Sequence, residues 1–260
     1  MKFKALLSIT LLAGMAVIYT ACKKSDSSSG TSLTPTQVSS QIALNLTQTL
    51  FGGYGGFNLG AGLDAPGGLA VKHTHGKLLN DLNNPFCGLV IDTTFNESTD
   101  PGSDTSGSVS GHIYFAFSCV NDVLTGFTTK DNLSISISTA EFSLVSKINE
   151  DLTMLSINPA DDNSKVSLKG TLGSTGTYNY KTGTKKSGTQ TFNYVLSSLI
   201  LDPNDDGDIV SGSASFSTTG TGSTGSWNYI GTITFLGDHK ATITINGKTY
   251  NVNLQTGVVN

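Results

Sequence analysis

Arginine is absent from this 260-residue chain; all 15 of its basic side chains (histidine aside) are lysine. Arginine is the residue best suited to two-pronged grips on phosphate and carboxylate. Its absence, with 19 acids present, argues against nucleic acid as a partner and weakens any phosphoryl-transfer reading. Glutamate is scarce too, with only Glu97, Glu141 and Glu150. Neither Glu141 nor Glu150 stands in a recognisable acid–base pair. There is no Ser-His-Asp order, no nucleophile elbow and no His-Glu-x-x-His. Catalysis would need residues converging from distant strands, so the expectation is a protein that is not an enzyme.

Long apolar runs are confined to the N-terminus. Lys2 and Lys4 precede an uncharged stretch from Ala5 to Tyr19, and the small residues Thr20 and Ala21 lead into Cys22. This reads as a secretory signal, too short and wrongly flanked for a comfortable spanning helix. A cysteine directly after two small residues resembles the lipobox of bacterial lipoproteins, although Tyr19 stands where that family prefers leucine. The resemblance implies that the signal is cut before Cys22, that its thiol receives a diacylglyceryl group, and that the new amine is acylated with a palmitate-like chain. Two or more acyl chains hold a protein stably to a membrane, at roughly 0.8 kcal/mol per buried methylene. The implied partner is therefore the membrane. Lys23 stands where lipoproteins retained at the inner membrane carry aspartate, which implies outer-membrane delivery, facing the periplasm or the cell surface. Without residues 1–21, 13 lysines face 19 acids, a net charge near −6.

Cysteine is also rare. With Cys22 lipidated, Cys87 and Cys119 remain, both in apolar, strand-like text. In an oxidising compartment such a pair is expected to be bridged, the alternative being two buried thiols.

The remaining text is mainly β. Residues 22–33 form a Ser/Gly-rich tether and 52–68 a glycine-rich loop. Between them, residues 34–51 read as one amphipathic helix. Thr34 is the N-cap, Pro35 the first helical residue, Gln37 completes a capping box, and Val38, Ile42, Leu46 and Leu50 make an apolar stripe. From 69 to 260, alternating Ser, Thr, Val, Ile and aromatic residues predict one antiparallel β domain, either a sandwich or a curved, partly closed sheet carrying the helix. At the C-terminus, Asn246-Gly247 predicts a hairpin pairing Ile245 with Lys248, Ile243 with Tyr250 and Ala241 with Val252. The loop before it should be odd in length, so that Ile233 and Phe235 stay on the buried face.

Acidic turns recur. Asp202-Pro-Asn-Asp-Asp-Gly-Asp echoes stretches starting at Asp100 and Asn158, and GSTG occurs at Gly173 and at Gly222. Together these make a weak internal repeat. Asp202, Asn204, Asp206 and Asp208 place oxygens at alternate positions, as in the first part of an EF-hand-like calcium loop, but Ser213 stands where the bidentate glutamate belongs. The other reading is a turn held by Asx hydrogen bonds, with no cofactor. His73 and His75 would share a face if extended, but two ligands do not make a metal site. Gly220-Thr-Gly-Ser-Thr-Gly precedes a strand, not a helix, and offers no helix N-terminus to a pyrophosphate. Tyr178, Tyr180, Trp227 and Tyr229 sit at matching places in the repeat, each pair on one strand face. They are either core or, if open to solvent, a glycan-binding row. The leading function is a non-catalytic, lipid-anchored envelope protein with a binding or structural role. A carrier of apolar ligands, resembling lipoprotein carriers in outline, is the alternative.

Overall fold

The structure is a computed structural model that describes residues 32–51, 86–98, 105–161, 163–183, 186–205, 208–223 and 225–260. Cys22, the glycine-rich loop, His73, His75, Asp100 and Asp206 lie outside the described residues.

The helix forms where its sequence signals place it, as α1, Pro35–Phe51. The Thr34 N–H donates to Gln37 Oε1 at 2.9 Å and the Gln37 N–H donates back to Thr34 Oγ1 at 3.4 Å, so two N-terminal amides are satisfied reciprocally. Val38, Ile42, Leu46 and Leu50 are all at most 1% exposed.

Among the described residues, ten strands follow: β1 Val90–Ser98, β2 Thr105–Val120, β3 Val123–Thr139, β4 Phe142–Ser156, β5 Val166–Tyr180, β6 Ser187–Asp202, β7 Asp208–Gly222, β8 Gly225–Gly237, β9 Lys240–Ile245 and β10 Lys248–Asn253. Each pairs antiparallel with the next, in chain order. Among the described residues the result is one sheet that does not close, with β1 and β10 at its edges. Of the two architectures expected, the single sheet is the one formed. Among the described residues no second sheet completes a sandwich.

The sheet bends around the helix. Asn45 bonds to Ser174 on β5 and Tyr194 on β6, while Thr47, on the other side of the helix at nearly the same height, donates to the Leu254 carbonyl just past β10. In a flat sheet, β6 and β10 would lie about 19 Å apart, but a helix with its side chains is only about 10–12 Å across. Both contacts can be made only if the sheet is concave towards α1.

The C-terminal register is as the sequence predicts: Ile245 faces Lys248, Ile243 faces Tyr250 and Ala241 faces Val252. Ile233 faces Ile243 and Phe235 faces Ala241, keeping one buried face. The odd loop count arises from a two-residue turn, Asp238-His239, with both φ near +50°, plus a bulge between Phe235 and Gly237. Cys87 and Cys119 are joined by a disulfide, which ties the chain before β1 to the end of β2.

Apolar side chains on the concave face form two cores. The larger joins the helix stripe to residues from β2 through β10, with Phe115, Leu152, Leu168, Ile233 and Ile243 fully buried. The smaller contains Leu133, Ile135, Ile137, Leu144 and Ile148 of β3 and β4.

Candidate functional site

The four aromatic residues singled out by the sequence share the concave face. Tyr178 and Tyr180 follow the inward positions of Leu172 and Ser174 on β5; Trp227 and Tyr229 precede the inward Ile233 and Phe235 on β8. All four are half-buried. Tyr178 packs with the smaller core, while Trp227 and Tyr229 pack with the larger. The rings therefore lie at the margin of the packed interior, where strands β5 to β8 carry it past the start of the helix.

Glycines between the two pairs let the rings lie down. Register sets Tyr178 opposite Gly188, Gly176 opposite Gln190, and Gly220 opposite both Gln190 and Trp227. A Cβ added at Gly188 would come within 2.6 Å of the Tyr178 hydroxyl, and one at Gly220 would run into the Trp227 ring. Tyr178 thus reaches over β6 while Trp227 lies across β7. Tyr180 extends the group, with ring centroids 6.1 Å from Tyr178 and 5.1 Å from Phe142. The Tyr229 hydroxyl donates to the Leu33 carbonyl at 2.9 Å, fixing the chain just before the helix to the platform.

Among the described residues, two polar atoms at this platform have no hydrogen-bond partner. The Trp227 indole Nε1–H and the Thr218 hydroxyl are both buried and unpaired, and Thr218 stands opposite Tyr229. A buried indole N–H ordinarily finds an acceptor. Both atoms are closed to solvent, so what the platform offers a ligand is its half-buried ring faces, which suit an apolar ligand face.

The Asp202 turn joins β6 to β7. The Asn204 N–H donates to Asp202 Oδ1 at 3.0 Å, an Asx turn, and Lys165 Nζ lies 3.3 Å from Oδ2. The Asn204 N–H, then the Asn204 amide and Lys165, hold the Asp202 carboxyl below its ordinary pKa. Asn204 also donates to the Asn163 carbonyl at 3.1 Å, linking this turn to the Asn158 turn between β4 and β5. Asp208 points elsewhere. It is buried, accepts the His239 backbone N–H at 3.2 Å and lies 3.1 Å from His239 Nδ1, clamping the β8–β9 turn. Asp202, Asn204 and Asp208 therefore serve the turn framework, and among the described residues no three His, Cys, Asp or Glu side chains gather as a metal site. The two GSTG copies occupy different places: the first lies within β5, the second at the β7–β8 turn.

The sequence reading missed a pair of buried acids. Asp131 on β3 stands directly opposite Glu150 on β4, and they are 3% and 4% exposed. Burial, opposed by the Thr129 hydroxyl, the Tyr114 N–H and His112, raises the Asp131 pKa to about 6. Burial first, and the Asp131 charge second, push Glu150 up to about 8. The signal was present: Phe127, Thr129, Asp131, Leu133, Ile135 and Ile137 alternate on one face, as do Ile148, Glu150, Leu152 and Met154 on the next strand. Compared with known proteins, the chain matches no family model, no curated protein and no solved structure.

Proposed function

We propose that this protein is a non-catalytic, lipid-anchored binding protein of the bacterial outer membrane, and that it holds a glycan on the aromatic platform of its concave face. The anchor rests on the lipobox-like Thr20-Ala21-Cys22. The carrying observation for the ligand is the glycine-bedded platform of the half-buried rings Tyr178, Tyr180, Trp227 and Tyr229. Ring faces would meet the C–H face of a sugar. No charged group is required, in keeping with the missing arginine.

Trp227 is the chain's single tryptophan, so intrinsic fluorescence reports on this site alone. Full-length protein in detergent, titrated with chito-, cello- and malto-oligosaccharides, should show saturable emission changes that Tyr178→Ala weakens at least several-fold. A flat response to every sugar refutes the glycan reading. Intact-mass measurement should find acyl chains on the wild type and none on Cys22→Ser.

A second reading, a carrier of apolar ligands, is favoured by the smaller core at Leu133, Ile135 and Leu144, which lies apart from the cluster that holds the helix. Saturable quenching by a fatty acid, with no response to sugars, would favour it.

A further inference from the structure

We propose that Asp131, Glu150 and Thr129 form a binding site for one hard divalent cation, calcium in the first place, between the two cores of the concave face.

The register puts the donor groups together. Asp131 and Glu150 are a directly opposed pair on adjacent antiparallel strands, where side chains start about 5 Å apart. Thr129 is the next inward residue on β3 and is completely buried. Among the described residues, four of their oxygens, Asp131 Oδ2, Glu150 Oε1 and Oε2, and Thr129 Oγ1, have no hydrogen-bond partner. The Thr129 hydroxyl lies near enough to the Asp131 carboxyl to favour its charge without meeting hydrogen-bond geometry. It is thus a separate, wholly buried polar group turned to the same spot as the acids.

Among the described residues, the surroundings are mostly apolar. On the same rung, Ile113 of β2 flanks Asp131 and Leu172 of β5 flanks Glu150. Above stand Leu133 and Ile148, and below stands Leu152. Among the described residues, the hydrogen bond to the pair that meets full geometry is the Tyr114 N–H to Asp131 Oδ1, at 3.2 Å. Among the described residues, the basic group that acts on Asp131 is His112, whose ring is engaged 2.6 Å from Asp92. Two buried carboxylates facing each other without a cation repel, and each unpaired oxygen costs desolvation energy. A divalent ion cancels both charges and satisfies all four oxygens at once. All-oxygen donors, two of them carboxylates, match calcium or magnesium rather than the nitrogen and sulfur preferences of zinc, and calcium better tolerates an irregular shell completed by water.

Purified full-length protein in detergent, stripped with EDTA, should gain roughly 5–10 °C in Tm at pH 7.5 when calcium reaches about a hundredfold excess over Kd. Thr129→Val should weaken calcium affinity several-fold while leaving the fold intact. Glu150→Gln should abolish the shift, and Asp202→Asn should leave it unchanged. Elemental analysis of protein purified without chelator should find close to one ion per chain. The proposal is overturned if neither calcium nor magnesium moves the Tm, or if the response survives Glu150→Gln but vanishes in Asp202→Asn. It is likewise overturned if Tm falls with rising pH identically with and without calcium, which would assign the pair to a shared proton.

Discussion

At the scale of single residues, the concave face is decided by positions where a side chain is either missing or unexpectedly charged. Gly220 is one. Its missing Cβ is the space Trp227 occupies, so Gly220→Ala should destabilise the protein by about 1–3 kcal/mol through overpacking and shift Trp227 emission, both readable in one fluorescence-monitored urea titration. Glu150 is another. Its folded pKa, about 8, lies above its ordinary value of 4.5. The folded state therefore holds a proton that the unfolded chain has already released across that range. In chelator, stability should be greatest below about pH 4.5 as far as this group is concerned, and should decline as pH climbs towards 8, by an amount on the order of a few kcal/mol. Glu150→Gln should flatten that decline and raise Tm at pH 8, as scanning calorimetry at several pH values would detect. The Tyr194 hydroxyl, its pKa driven upward by complete burial, stays protonated and donates to Asn45 Oδ1 at 3.0 Å.

At the scale of elements, the helix was the most legible part of the sequence. Its cap, its proline and its four-residue stripe are local signals, and each is met in the structure. What the sequence did not say is where the helix docks, because Asn45 finds Ser174 and Tyr194 only through packing more than 120 residues away. Leu46→Ala should cost about 2–5 kcal/mol, since Leu46 is 1% exposed and lies between helix and sheet. The strands were legible as alternation and, at the Asn246 hairpin, as register. The bulge that sets the β8–β9 pairing was foreseen only as an odd residue count, since period-two patterning requires a shift but does not say which residue makes it. Asp131 and Glu150 escaped for another reason. A search for acid pairs along the chain cannot see two residues brought opposite each other by a hairpin, although both occupy inward positions of alternating runs. The disulfide closes 32 residues of separation between Cys87 and Cys119. Replacing both cysteines by serine should lower stability by about 3–4 kcal/mol, measurable as a lower urea midpoint.

At the scale of the whole molecule, an open sheet must manage two edges. Beyond β10, the terminal residues fold back: Val259 bridges to Val252, the Asn253 N–H donates to the Val258 carbonyl at 2.9 Å, and the Asn260 N–H donates to the Asn251 carbonyl at 2.9 Å. At the other edge, β1 carries Asp92 and Glu97, and charge on an edge strand discourages pairing between molecules. Asp92→Val with Glu97→Val should promote self-association, visible by light scattering at concentrations where the wild type gives a single species.

The strictly sequential order of the strands also has a bearing on assembly. Every ladder among the described strands joins neighbours in the chain, so a nascent polypeptide can zip up hairpin after hairpin with little loop closure to overcome. The helix is the exception. It is made before any of these strands, yet its Thr47 bonds to Leu254, 207 residues later. Until synthesis is nearly done, its greasy stripe has no permanent home, and the unfinished chain is at its stickiest just when most of the sheet is already built.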